Sequence, residues 1–192
     1  MQANRGHVRL ILLCLWVAIV GCRAHLPALP PGITLQPGRY LTAVFQAPEF
    51  APDQAAYSLE TFTVDATQGV EAGTFQALLR TELARALEAN GLKQEASQEA
   101  CRLSGSVQLA ALRGTRLRFI FGSISVELIV FGTVTRGEEI LFAFQDRVNI
   151  TSPTRAGTAA PKEVEILLRQ AVQTFAAHLL NELLLSKLPP EG

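Results

Sequence analysis

Three arginines stand close together in the middle of the chain, at Arg113, Arg116 and Arg118. Guanidinium groups bind phosphates and carboxylates through paired hydrogen bonds, so such a cluster can hold an anion. A charged turn that keeps the edge of a sheet soluble explains the same residues. The sequence therefore offers this cluster as a contact site for an anion or a partner, with the solvated turn as the alternative.

Candidate catalytic and metal-binding groups are few. His178 and Glu182 are four residues apart on one face of a predicted helix, where they could share a metal ion, although a partner contact or a solvated pair explains them better. Cys101 and His178 could act as nucleophile and base, although no motif orients them. Glu138 and Glu139 are adjacent acids at a predicted hairpin tip, and an exposed turn explains them. The sequence contains no G-x-S-x-G, G-x-G-x-x-G or P-loop motif, so we expect no catalytic residue, no metal and no cofactor.

The composition is that of one globular domain. Of the 192 residues, 48% are hydrophobic, and 17 basic residues balance 17 acidic ones. Binding of nucleic acid needs a concentrated positive face, and the sequence has no Lys/Arg-rich run. We therefore expect no nucleic-acid partner.

Residues 1–21 have the pattern of a signal peptide. Two arginines precede an apolar run of eleven residues, 10–20. An eleven-residue helix rises about 16 Å, which is short of the roughly 30 Å of a bilayer core. The run is therefore too short for a membrane span.

The end of this run, Ile19-Val20-Gly21-Cys22, resembles the lipobox of bacterial lipoproteins. The resemblance implies cleavage before Cys22 and acylation of Cys22, which anchors the chain to a membrane. An ordinary signal peptide or an uncleaved anchor is the alternative. Arg23, rather than an aspartate, follows the cysteine, which implies the outer membrane, with the domain facing the periplasm. The mature chain would have 15 basic and 17 acidic residues, and Cys101 would have no intrachain disulfide partner.

The remaining sequence predicts a spacer and one domain. Six prolines make residues 22–55 a semi-rigid spacer, with a short edge strand over 40–45. Residues 56–188 form the domain. Alternating apolar residues predict strands over 57–64, 103–111, 119–135 and 140–150, with a turn at 65–69 and a hairpin turn at 136–138. Apolar residues three and four apart predict helices over 70–90 and from 161 to about 187.

These elements predict an α+β fold of order β-α-β-β-β-α, in which two helices pack on one face of a mostly antiparallel sheet. The second face of the strand over 119–135 is mixed, with Ile129 and Phe131 beside Glu127. Four apolar residues of the last helix also lie partly outside its main stripe: Ile166, Leu180, Leu184 and Leu188. Both features are explained either by burial in the core or by a docking surface for a partner or an acyl chain.

The order of elements after the lipobox and spacer resembles small lipoproteins of envelope transport systems. Two families share this order of elements: the auxiliary lipoproteins of ABC-type transporters and the lipopolysaccharide-assembly lipoprotein. The resemblance is carried by residues 69–92 followed by residues 101–107. The resemblance implies a non-catalytic accessory subunit of a cell-envelope transport or assembly complex. Its partners would be envelope transporter or outer-membrane assembly proteins. A direct lipid- or lipopolysaccharide-binding module is the alternative, and a small periplasmic enzyme is the third interpretation.

Overall fold

The computed structural model describes residues 29–30, 32–95, 97, 99–113, 123–152 and 161–185. The strands are β1 (Ala43–Gln46), β2 (Tyr57–Leu59), β3 (Thr63–Val64), β4 (Thr67–Gln68), β5 (Cys101–Arg113), β6 (Ser125–Arg136) and β7 (Glu139–Thr151). The helices are α1 (Ala72–Ala89) and α2 (Pro161–Leu185), and a short 3₁₀ turn covers Pro52–Gln54.

Three long antiparallel strands form the centre of a mixed sheet of order β1-β7-β6-β5-β2, with β3 and β4 also paired with β5. The strands β2, β3 and β4 run parallel to β5 because α1 lies between them and β5 in the sequence and returns the chain across the sheet. Both helices pack on the sheet and on each other. The predicted α+β class is therefore confirmed.

Helix α1 lies within the predicted range 70–90 and covers Ala72–Ala89 of it. The Glu71 carboxylate accepts hydrogen bonds from the backbone N–H groups of Gly73 and Thr74, which would otherwise lack helical partners. Hydrogen bonding, first from the Thr74 side chain, lowers the pKa of Glu71. At the other end Gly91 has φ +70°, a conformation that glycine adopts without strain.

The buried stripes of the two helices also match the predicted spacing. Both stripes join a single core beneath the sheet. The residues of α1 and α2 with exposures of 3% or less in this core are Phe75, Leu79, Leu83, Leu87, Leu167, Ala171, Val172, Phe175, Ala176, Leu179 and Leu183.

The turn predicted at 65–69 is partly wrong, because Thr67 and Gln68 form β4 against Ala110 and Ala111. The strand predicted over 57–64 is two short strands, β2 and β3. Between them Phe62 is buried with 3% exposure. Burial of this ring breaks the alternation of a continuous strand.

Alternation over 103–111 predicts that Leu103, Gly105, Val107, Leu109 and Ala111 share one buried face, and this is right only in the first half of β5. A bulge lies between Val107 and Leu109, so that Val107 pairs with Val130 but Leu109 pairs with Ile129. A bulge adds one residue to one strand, and side chains beyond it exchange faces. Ala110, rather than the predicted Leu109, therefore packs toward the helices.

The folded domain begins earlier than the predicted boundary at residue 56. Strand β1 pairs with β7, and Gln36 forms a bridge with Val44. Leu41 and Phe50 are buried in the core, with exposures of 3% and 2%. Much of the proline-rich segment is therefore part of the domain.

Both outer edges of the sheet are partly covered by the chain itself. The bridge from Gln36 covers β1, and the backbone of residues 93–95 pairs with Tyr57 of β2. Covered edges restrict strand addition by another chain. Neither helix in the described ranges is long and apolar enough to cross a membrane.

Candidate interaction surface

The two faces of the central sheet differ in what covers them. One face packs against α1 and α2, and no described helix lies on the other, which we call the open face. The side chains of β5, β6 and β7 on the open face follow from the register: Arg102, Ser104, Ser106, Leu109, Ala111, Arg113, Ser125, Glu127, Ile129, Phe131, Thr133, Thr135, Ile140, Ala143, Gln145, Arg147, Asn149 and Thr151.

Glu127 is the centre of a charged cluster on the open face. Its Oε2 atom lies 2.5 Å from Nη2 of Arg113, and its Oε1 atom lies 2.5 Å from Nη2 of Arg147. The Glu127 side chain is only 6% exposed, whereas those of Arg113 and Arg147 are 59% and 64% exposed. A buried carboxylate is tolerated when charged partners surround it, as the two guanidinium groups do here.

The structure gives a partner to one of the three predicted arginines. Arg113 is held by Glu127, while Arg116 and Arg118 lie outside the described residues, as does Cys22. Sequence reasoning missed Arg147. The available signal was that Glu127 interrupts a mostly apolar strand, because a carboxylate at such a position needs a cation nearby.

His178 and Glu182 stabilise the fold separately. Nδ1 of His178 lies 2.8 Å from Oδ2 of Asp146, a buried residue of β7. Oε2 of Glu182 accepts hydrogen bonds from the backbone N–H groups of Tyr40 and Leu41, at 2.6 and 3.0 Å. The two side chains thus bind different segments. Within the described residues, no group of three His, Cys, Asp or Glu side chains is arranged to hold a metal ion.

Among the described residues, no contact joins Cys101 to His178. Cys101 is buried at the start of β5, and its Sγ atom lies 3.4 Å from Nη2 of Arg136. Its strand neighbour Tyr57 donates a hydrogen bond to the Pro52 carbonyl group, at 3.0 Å. Burial, followed by the nearby Cys101, raises the pKa of the Tyr57 phenol far above its usual value.

The remaining candidates are peripheral. Glu138 and Glu139 are exposed at the β6–β7 turn, and Gly137 has φ +61° there, as tight hairpin turns require.

Among the apolar residues of the last helix, Leu180 is buried and Leu184 packs against the core, so these two do not form a free apolar surface. Ile166 is 48% exposed, and Leu188 lies outside the described residues.

No family model matches the sequence, and the comparison with curated proteins found no match. Among solved structures, a minor lipoprotein from Acinetobacter baumannii aligns with 65% of this chain and 88% of its own, at 15% identity and a TM-score of 0.44. The PelC dodecamer of Paraburkholderia phytofirmans aligns over 76% and 98%, at 15% identity and a TM-score of 0.44. A hypothetical protein from Chlamydia trachomatis aligns over 68% and 98%, at 10% identity and a TM-score of 0.48. All three TM-scores are below 0.5.

Proposed function

We propose that this chain is a non-catalytic, lipid-anchored accessory subunit of a cell-envelope complex that transports or assembles lipid or lipopolysaccharide. The observation that carries the proposal is the cluster of Arg113, Glu127 and Arg147 on the open face. It holds two largely exposed guanidinium groups on a rigid sheet, which suits recognition of an anionic partner. We further propose that Cys22 anchors the domain to the outer membrane, facing the periplasm.

The contacts of the polar side chains support an accessory role. His178, Glu182 and Cys101 each contact another part of the domain. These contacts explain the presence of the three residues through the stability of the fold, without a catalytic role. The open face is then the surface through which we propose that the domain works.

The anchor is tested by metabolic labelling with a clickable fatty acid in a bacterium with a lipoprotein-processing pathway. The full chain should incorporate the label, and Cys22→Ala should lose it, because the acyl chains are attached to that sulfur atom. Cys101→Ala is the matched control and should keep the label. An unlabelled full chain, or label retained in Cys22→Ala, would refute the anchor.

The accessory role is tested with a photoreactive residue on the open face. A probe at Thr133, on the half of β6 away from the charged cluster, should crosslink in membranes to subunits of an envelope transport or assembly complex. A probe at Gln170, exposed on α2, is the control and should give much less of the same adduct. Equal yields from both positions, or no adduct with such subunits, would count against the proposal.

A further inference from the structure

The strand register brings Arg113 and Arg147 to the same carboxylate. Glu127 lies directly opposite Ala111 of β5 and Asn149 of β7. Arg113 is two residues beyond Ala111, and Arg147 is two residues before Asn149, so both occupy diagonal positions beside Glu127. Diagonal neighbours are within reach of long side chains. The small side chain of Ala111 leaves room on the β5 side.

Glu127 does not neutralise the combined charge of Arg113 and Arg147. One carboxylate between two guanidinium groups leaves a net charge of +1, and each arginine contacts Glu127 through a terminal nitrogen. A guanidinium group carries five N–H donors, and more than half of each arginine side chain is exposed. The contact to Glu127 also holds each flexible side chain in place, which lowers the entropy lost when an anion binds.

The rest of the open face adds positive charge. On β5, β6 and β7 its charged residues are Arg102, Arg113, Arg147 and Glu127, three cations and one anion. The whole chain has equal numbers of basic and acidic residues. Charge is therefore unevenly distributed, and the open face favours an anion.

An apolar pair lies directly beside the arginines. Ile129 faces Arg147 on β7 and Leu109 on β5, and both apolar side chains are partly exposed. An occupant that joins an anionic group to an apolar body fits this arrangement. A phospholipid has that chemistry. An acidic peptide is favoured less, because the backbone N–H and C=O groups of a sheet point toward neighbouring strands and offer it no main-chain hydrogen bonds from the face.

We propose that Arg113 and Arg147 bind the phosphate group of an anionic lipid, that Glu127 positions the two guanidinium groups, and that Ile129 and Leu109 contact the adjoining apolar part of the lipid. This inference rests on the proposed function, which brings the domain close to lipid. It deepens that function by assigning direct contact with lipid to the accessory subunit.

The test uses the full chain in micelles of a zwitterionic detergent, with and without phosphatidylglycerol. Binding is followed by NMR through the side-chain Nε–Hε signals of the arginines. The signals of Arg113 and Arg147 should shift on addition of phosphatidylglycerol, and that of Arg80 should stay in place. This readout uses the unsubstituted chain, so it does not depend on the folding of a variant.

Two double variants are compared. Each removes two positive charges, the first variant from the open face and the second from the helices. Arg113→Gln with Arg147→Gln should weaken binding at least about tenfold, because hydrogen bonds to charged groups are lost. Arg80→Gln with Arg169→Gln makes the same charge change on α1 and α2 and should change affinity less than about threefold, since only long-range electrostatics is altered. Equal losses in the two variants would show general charge attraction and overturn the site.

Three further outcomes are decisive. Inorganic phosphate that shifts the two arginine signals with the affinity of phosphatidylglycerol would overturn the lipid as occupant in favour of a free phosphate. An acidic peptide that binds more tightly than phosphatidylglycerol would overturn it in favour of a protein partner.

Glu127→Gln should make the signals of Arg113 and Arg147 resemble those of solvated arginines and should weaken binding, whereas unchanged signals would remove the positioning role. All these results are independent of the labelling of Cys22, so failure here is distinguishable from failure of the anchor.

Discussion

At the scale of single residues, buried carboxylates tie together segments that are distant in sequence. Among the described residues, Glu82, Glu127, Asp146 and Glu182 are buried with 5% exposure or less. Each has a partner: Glu82 of α1, for example, contacts Arg85 of the same helix and Gln173 of α2, at 3.0–3.1 Å. Burying a carboxylate is costly unless hydrogen bonds or cations replace water. These residues therefore act as structural connections, and removal of their acceptor atoms should destabilise the domain.

Glu182→Gln should lower the free energy of unfolding by about 1–3 kcal/mol, because a neutral amide oxygen accepts weaker hydrogen bonds from the N–H groups of Tyr40 and Leu41 than the carboxylate does, and the new NH2 group needs a partner in a buried site. Chemical denaturation followed by circular dichroism measures the change. Glu165→Gln is the control. Its side chain is 66% exposed and pairs with Arg169 on the surface, so its effect should stay below about 0.5 kcal/mol. Equal effects would mean that Glu182 does not hold the N-terminal segment.

At the scale of elements, two glycines let aromatic rings pack directly on the central strands. Gly105 and Gly132 face each other across β5 and β6 on the side of the helices. A Cβ atom on Gly132 would collide with the Phe144 ring and lie 2.8 Å from the Ser104 carbonyl oxygen, and one on Gly105 would lie 2.6 Å from Cε1 of Phe62. The space that a side chain would fill is thus occupied by phenylalanine rings.

Gly132→Ala should destabilise the domain by about 1–3 kcal/mol, because the added methyl group overpacks the core at the Phe144 ring. Combination with Phe144→Leu should recover at least about 0.5 kcal/mol relative to the sum of the single changes. A double-mutant cycle from urea denaturation gives this coupling. Strictly additive effects would show that the ring is not the obstacle.

At the scale of the whole molecule, the segment before β2 completes the core. Strand β1 extends the sheet beside β7, and the ring centroids of Phe50 and Phe142 are 6.5 Å apart. A continuous series of ring contacts then leads from Phe142 through Phe144 to Phe175 of α2. The described part of the predicted spacer therefore contributes buried apolar area as well as the edge strand that the sequence predicts over 40–45.

A chain that begins at residue 36 should unfold cooperatively, with a urea midpoint close to that of the full chain, because it keeps the Gln36–Val44 bridge and the whole described core. A chain that begins at residue 56 should lose most of its stability, since it lacks Leu41, Phe50 and β1. Urea denaturation of both truncations checks this. Equal midpoints would place the domain boundary at 56 after all.

The sequence alone determined the α+β class, the two amphipathic helices and the β6–β7 hairpin. These features depend on local periodicity and turn chemistry, which a single segment carries. Acylation of Cys22 remains a prediction from its resemblance, since the residue lies outside the described ranges. The full extent of the domain could not be predicted, because the prolines around the short strand over 40–45 favour an extended spacer, and the pairing of β1 with β7 joins segments about 100 residues apart.

Only the tertiary structure decided which side chains meet. The charged cluster requires Arg113, Glu127 and Arg147 to align across three strands, and the bulge between Val107 and Leu109 sets part of that alignment. Alternation in one strand gives two faces, but it does not give the register with the next strand or the position of a bulge. The sequence therefore indicated a basic region at Arg113, and pairing of the strands placed Arg147 and a shared carboxylate, Glu127, beside it.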